Sequence, residues 1–254
     1  GKFSKECLKY TALDVLLVEG LTGTDLDPFT HFEGIINNES VLLANAKHKK
    51  QSQCIGAVYS RRFFSAFWSG DYTEADKWFE LSTAVPTSKM PNVSLIYMTF
   101  YRGLIAFQRY RDGEGEGWLE KGNNVLDKMN VWAKSGCKAI FENKLYLLES
   151  EHYACMCNIV ASKESYELSA KSARDHGLIQ EQGLASELYG KFLSSTGDMD
   201  SFQWFQTAHR CYTSWGATVK AENLWKEHDL GFAAKVNASF NQAKHGRAED
   251  EALI

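Results

Sequence analysis

His152, Cys155 and Cys157 come nearest to a chemical motif in this chain, because an imidazole and two thiols lie within a single helical stretch and form the donor set of a zinc site. Their spacing points elsewhere. At helical pitch Cys155 and Cys157 lie about 200° apart, on different faces, so they read as buried apolar thiols rather than ligands. Gly113-Glu114-Gly115-Glu116-Gly117 has the glycine content of a phosphate cradle, but its two carboxylates repel phosphate. No Gly-x-x-x-x-Gly-Lys-Ser/Thr loop occurs in the sequence. The segment reads instead as a helix start, with Glu114 and Glu116 near the positive end of the dipole. Asp25 with Asp27, and Asp198 with Asp200, are paired carboxylates outside the frame of a calcium loop; capping is their expected role. Neither a Gly-x-Ser-x-Gly elbow nor a His-Glu-x-x-His helix is present. The expectation is a protein with no catalytic residues, no metal and no cofactor. The alternative is a small-molecule sensor or helical enzyme whose ligand sits inside the fold near Glu149, Glu151 and His152.

The elements that would carry these residues follow from composition. Among 254 residues, 44% are hydrophobic and 24% charged, which is enough to bury a substantial core without disulfides or metals. A net charge of -4 gives no electrostatic reason to expect nucleic acid or an anionic membrane as partner, and the short basic run Lys47-His48-Lys49-Lys50 reads as a solvated helix end. With only three prolines, long helices run uninterrupted, and the class is all-α. No apolar run reaches membrane-spanning length, since Arg102 breaks the stretch from Leu95 to Phe107, and no signal segment opens the chain. The six cysteines (Cys7, Cys54, Cys137, Cys155, Cys157 and Cys211) lack the spacing of a secreted scaffold. A cytoplasmic location is expected. The start at Gly1 and the polar tail from Asn241 to Asp250 suggest a piece of something larger.

Apolar periodicity predicts helices over Lys5–Leu21, Pro28–Ile36 and Glu39–Lys49, and then a succession of pairs. The first pair is Cys54–Ser69 with Tyr72–Ala84, turned at Gly70 and capped by Asp71. The second is Val93–Tyr110 with Gly115–Lys134, in which Gly103 marks a close approach. The third is Ala139–Cys157 with Lys163–His176, and the fourth is Ile179–Ser195 with Asp198–Ser214. A unit that turns back at a near-constant interval cannot bury its apolar face alone and must stack on its neighbours. The expected architecture is a right-handed superhelical solenoid of antiparallel helix pairs. Residues 1–52 would form N-terminal helices and a cap, 53–230 about four pairs plus a capping helix, and 231–254 a terminal helix or tail.

Counted from Gly70, Ala75, Phe79, Ser82 and Pro86 stand where a tetratricopeptide repeat places its small residue, aromatic, second small residue and closing proline. Ser162, Tyr166 and Ser169, then Ser201, Phe205 and Ala208, repeat the spacing. In such arrays the first helix of each repeat lines a concave groove. Ser60, Phe64, Phe67 and Trp68 fall there, with Tyr97, Phe100, Lys144 and Glu151 at corresponding places in later repeats. An aromatic floor with a few charges beside it is a candidate peptide groove.

Further motifs make the resemblance more specific. They are Met129-x-x-Trp132-Ala133-Lys134, Asn143-Lys144-x-x-Leu147-Leu148-Glu149, Leu184-Ala185-x-Glu187-Leu188 and Tyr212-x-x-Trp215-Gly216-Ala217. From about Gly70 to Leu224 the chain resembles the tetratricopeptide-like helical region of large multidomain signalling proteins. In these, that region follows a kinase-like module and a predictive STAND-type ATPase and precedes GAF and histidine-kinase modules. Cys157 departs from the pattern by standing where a turn glycine is usual. The resemblance implies a non-enzymatic scaffold for signal transduction whose partners are proteins, peptides or neighbouring domains of a parent chain, with any ATPase or kinase activity residing elsewhere.

Overall fold

The computed structural model describes residues 39–85, 93–136 and 138–229. Cys7, Cys137, Pro86, the helices expected before Glu39 and the tail 231–254 lie outside the described residues. Within them the protein is all-α, with no strand. The ten helices are α1 (Glu39–His48), α2 (Ser52–Ser69), α3 (Tyr72–Thr83), α4 (Val93–Arg111), α5 (Glu116–Ser135), α6 (Lys138–Cys155), α7 (Ile159–Asp175), α8 (Ile179–Ser195), α9 (Ser201–Trp215) and α10 (Thr218–Glu227). None of them is long and apolar enough to cross a membrane.

Local chemistry sets the turns. Gly70 closes α2 with a φ of 81°, the left-handed region where a Cβ is penalised, and its neighbour Asp71 accepts a hydrogen bond from the Glu74 amide at 3.0 Å to open α3. Cys157 holds the equivalent position after α6 at a φ of 54°, a conformation that glycine would adopt without strain. Its turn is held by the Cys157 amide donating to the Ala154 carbonyl and the Asn158 amide to that of Tyr153. Two boundaries differ from expectation by more than two residues. Helix α7 begins at Ile159 because Asn158 caps it, its side chain accepting from the Ala161 amide at 3.2 Å. Helix α9 begins at Ser201 because Asp198 is engaged in the turn, accepting from the Asp200 amide and pairing with Lys163 at 2.6 Å. Asp200 occupies the cap position without a side-chain bond.

The tightest packing joins α2 to α3, α4 to α5, α6 to α7 and α8 to α9, the four pairs in chain order. Each second helix also meets the next first helix, and the first helices α2, α4, α6 and α8 touch in series. Small residues allow this approach. A Cβ on Gly103 would fall 2.7 Å from both Leu148 and Val125, so glycine is required where α4 crosses its neighbours. Of the small and aromatic positions of the repeat frame, Ala75, Phe79, Ser162, Tyr166, Ser169, Phe205 and Ala208 are buried, while Ser82 and Ser201 are half-buried. A single apolar cluster runs from Phe63 to Leu224, and a smaller one of Ala46, Cys54, Val58 and Tyr59 lies under α1.

Candidate functional site

The seven residues expected to floor a peptide groove fall into three groups. Tyr97, Phe100 and Lys144 come together: the Lys144 Nζ lies 4.5 Å from the Tyr97 ring and 5.9 Å from that of Phe100. Phe64, Phe67 and Trp68 gather around Tyr101, with Phe67 stacked on it at 4.2 Å and the other two edge-on. Glu151 stands apart from both, bonded to Arg111 and Tyr166. Phe67, Trp68, Phe100, Lys144 and Glu151 are buried, and so is Ser60; Phe64 and Tyr97 are half-buried. Around Phe100, Lys144 and Glu151, each at most 1% exposed, the chain's own side chains therefore occupy the space in which a peptide would lie, whereas Phe67 and Trp68 border a cavity. Trp68 packs on Tyr212 and Trp215 of α9, at ring separations of 6.0 and 5.3 Å, so the end of α2 meets the last helix pair.

Three buried glutamates help hold this interior; the repeat frame singles out Glu151 among them, and nothing in the apolar spacing singles out Glu181. Glu181 of α8 accepts from the Tyr97 hydroxyl at 2.8 Å and pairs with Lys144 at 3.3 Å, while the ammonium also donates to the Ile140 carbonyl. Burial outweighs the Glu181 charge and pulls the Lys144 ammonium below the usual lysine range. Glu151 of α6 accepts from the Tyr166 hydroxyl through one oxygen and pairs with Arg111 of α4 through the other, both at 2.5 Å. Burial, then the Glu151 charge, raises the Tyr166 hydroxyl well above the usual tyrosine value. Glu187 of α8 takes Lys191 at 2.8 Å and Lys220 at 2.9 Å on one oxygen and the Tyr212 hydroxyl at 2.7 Å on the other. Burial alone would raise its carboxyl, but Lys220 and Lys191 outweigh it and hold the value at about 2. Lys191 is raised in turn, the Glu187 charge overcoming burial. A sequence signal for Glu187 does exist: an acid set between Leu184-Ala185 and Leu188 interrupts an apolar face.

Of the residues weighed for ligand or metal chemistry, Gly113, Gly115, Glu116, Cys155 and Cys157 line one cavity together with Tyr110 and Arg111. Cys155 is buried, donates to the Phe107 carbonyl at 3.5 Å and has its thiol pushed up to about 11 by burial, whereas Cys157 is exposed. The His152 Nδ1 lies 2.9 Å from the Asn123 amide oxygen. Glu149 is half-buried, which raises its carboxyl. Glu114 pairs with Arg109 at 2.8 Å, and Glu116 sits in the first turn of α5. Among the described residues, no group of three or more His, Cys, Asp or Glu side chains is arranged to hold a metal ion.

The surface offers a different feature. At the α6–α7 turn Met156, Ile159 and Val160 are exposed by 45%, 48% and 69%, and at the α8–α9 turn Met199 is exposed by 88%. The Lys163–Asp198 bond links the first turns of α7 to the α8–α9 turn. Comparison with protein-family models, with curated proteins and with solved structures gives no match for this chain.

Proposed function

We propose that the protein is a non-enzymatic interaction scaffold, a right-handed solenoid of antiparallel helix pairs serving a larger signalling protein of the ATPase and histidine-kinase type. The serial contacts of first helix with first helix, and of second helix with next first helix, support the solenoid reading. Buried charge supports the non-enzymatic one: Glu151 and Glu187 spend both oxygens on cations and tyrosines of the fold, and Glu181 gives its Oε1 to Lys144 and Tyr97 while its buried Oε2 has no hydrogen-bond partner.

The observation that carries the interaction role is the exposure of Met156, Ile159, Val160 and Met199, since exposed hydrophobic side chains on linked turns mark a protein contact. The groove-facing positions around Phe100, Lys144 and Glu151 are filled by the chain itself, so the partner is assigned to these outer turns. The partner is a protein or a neighbouring domain with a complementary apolar face. Affinity capture with the purified chain, compared with a Val160→Glu/Met199→Glu double variant, tests the reading. The wild type is expected to retain a partner that the double variant loses at unchanged melting temperature, with no ATP hydrolysed by either. Capture indifferent to the double substitution, or turnover of ATP by the purified chain, would overturn it.

A further inference from the structure

A cavity of about 500 Å³ opens where the α2–α3 turn faces α8 and α10, within the size range of small-molecule sites. Phe67, Trp68 and Tyr72 line one side, and Lys191, Lys220 and Asn223 the other. On the aromatic side the half-buried Tyr72 stacks on Phe67 at 6.0 Å, and Trp68, set edge-on to Phe67 at 5.4 Å, borders the cavity with a narrow exposed rim.

The cationic side is unbalanced. Lys191 and Lys220 converge on the same Oε1 of Glu187, and its Oε2 is taken by Tyr212, so two ammonium groups share one buried carboxylate. Each ammonium carries three N–H donors and spends one on Glu187. Both lysines keep contact with the cavity, their side chains 39% and 22% exposed. The opposing charge at the cavity is Glu227, whose side chain is 58% exposed and therefore strongly screened by water.

We infer that this cavity binds a small anionic molecule with a planar apolar body, an aromatic carboxylate or phosphate monoester, the anion taken by Lys191 and Lys220 and the ring by Trp68 and Tyr72. Because its walls come from residues 65–72 and 187–227, the bound molecule would fasten the first described helix pair to the last. This inference is independent of the exposed apolar side chains assigned to a protein partner, which lie on other turns.

Calorimetric titration of the full chain with phenyl phosphate and with phenylacetate tests it, with inorganic phosphate and benzyl alcohol as halves of the ligand. Saturable binding of at least one aromatic anion is expected, about tenfold or more tighter than either half; the stronger of the two identifies the anion class. Asn223 and Glu227 are exposed, so substituting them leaves the core intact, as circular dichroism would verify. Asn223→Glu should weaken binding by about three- to tenfold, the effect of one added charge near the site at surface dielectric. Glu227→Gln should strengthen it. No saturable binding up to about 10 mM, equal binding of inorganic phosphate, or affinity unmoved by both substitutions would overturn the assignment.

Discussion

Replacing Glu187 by glutamine removes a charge while nearly preserving shape, and the structure sets the size of the effect. The carboxylate is 3% exposed and is met by two ammonium groups and one hydroxyl within 2.9 Å. Its pKa is about 2 in the fold against an ordinary 4.5. That displacement corresponds to about 3 kcal/mol of folding stability at neutral pH, using roughly 1.4 kcal/mol per unit. Because the folded value is depressed, this stability is fully present above pH 4.5 and is lost as pH falls through about 2. Urea unfolding followed by far-ultraviolet dichroism, run on wild type and Glu187→Gln at pH 7 and pH 3, isolates the term. At pH 7 the variant should be less stable by about 3 kcal/mol, a fall in Tm of roughly 6–12 °C for a chain of this size. At pH 3 the unfolded carboxyl is protonated while the folded one is still mostly ionised, so the gap should shrink to about 1 kcal/mol, and it should vanish only below about pH 2, where both states are protonated. A gap equal at the two pH values would show that Glu187 acts by packing, and no gap at pH 7 would show that its ion pairs are without effect.

Further substitutions test other parts of the fold. A methyl group at Gly103 would press on Leu148 and Val125 whereas one at Gly56 meets nothing within 4 Å, so Gly103→Ala should lower stability by about 1–2 kcal/mol and Gly56→Ala raise it by up to about 1 kcal/mol, measured by thermal melts. Cys157→Gly should raise stability by about 1 kcal/mol, because it relieves a left-handed residue at the end of α6, and a lowered Tm would contradict that account. Lys144→Met should cost about 3–5 kcal/mol by leaving Glu181 buried without a cation, and Lys144→Met/Glu181→Met should recover most of it; a double variant as unstable as the single one would exclude the pairing as the cause. Trp68→Glu places a carboxylate at a site 8% exposed against Tyr212 and Trp215 and should destabilise the whole chain by several kcal/mol, visible as loss of the cooperative transition at 37 °C.

The local parts of the fold were legible in the sequence because their causes are local. Gly70 followed by Asp71 contains both halves of a turn, a left-handed residue and a side-chain acceptor, and the structure uses both. The small and aromatic spacing at Ala75, Phe79, Tyr166, Phe205 and Ala208 identified buried positions, since helical periodicity reports which side of a helix faces inward. Periodicity does not report depth. Trp68 and Lys144, expected on a groove, are covered by residues far along the chain: Tyr212 and Trp215 for Trp68, and Glu181 for Lys144. The start of α9 shifted for a related reason, whereas that of α7 is set locally by the Asn158 side chain. Asn158 and Asp198 both look like caps, and what separates them is a lysine on another helix pair that claims Asp198.

The three glutamates explain why charge sits so deep in a fold with no assigned chemistry. A buried ion pair adds little net stability over apolar residues of the same size, because desolvation offsets attraction. Its effect on alternatives is larger, since a carboxylate buried without its cation costs several kcal/mol. Each glutamate here reaches across helices: Glu151 joins α6 to α4 and α7, Glu181 joins α8 to α6 and α4, and Glu187 joins α8 to α9 and α10. Helix pairs held only by interchangeable apolar contacts can slide by a turn at small cost. With these partners fixed, a slide of one turn would strand at least one buried charge. The same alignment places Lys191 and Lys220 opposite Trp68 and Tyr72, so the cavity between the first and last described pairs has a defined shape because the charges beneath it set the register.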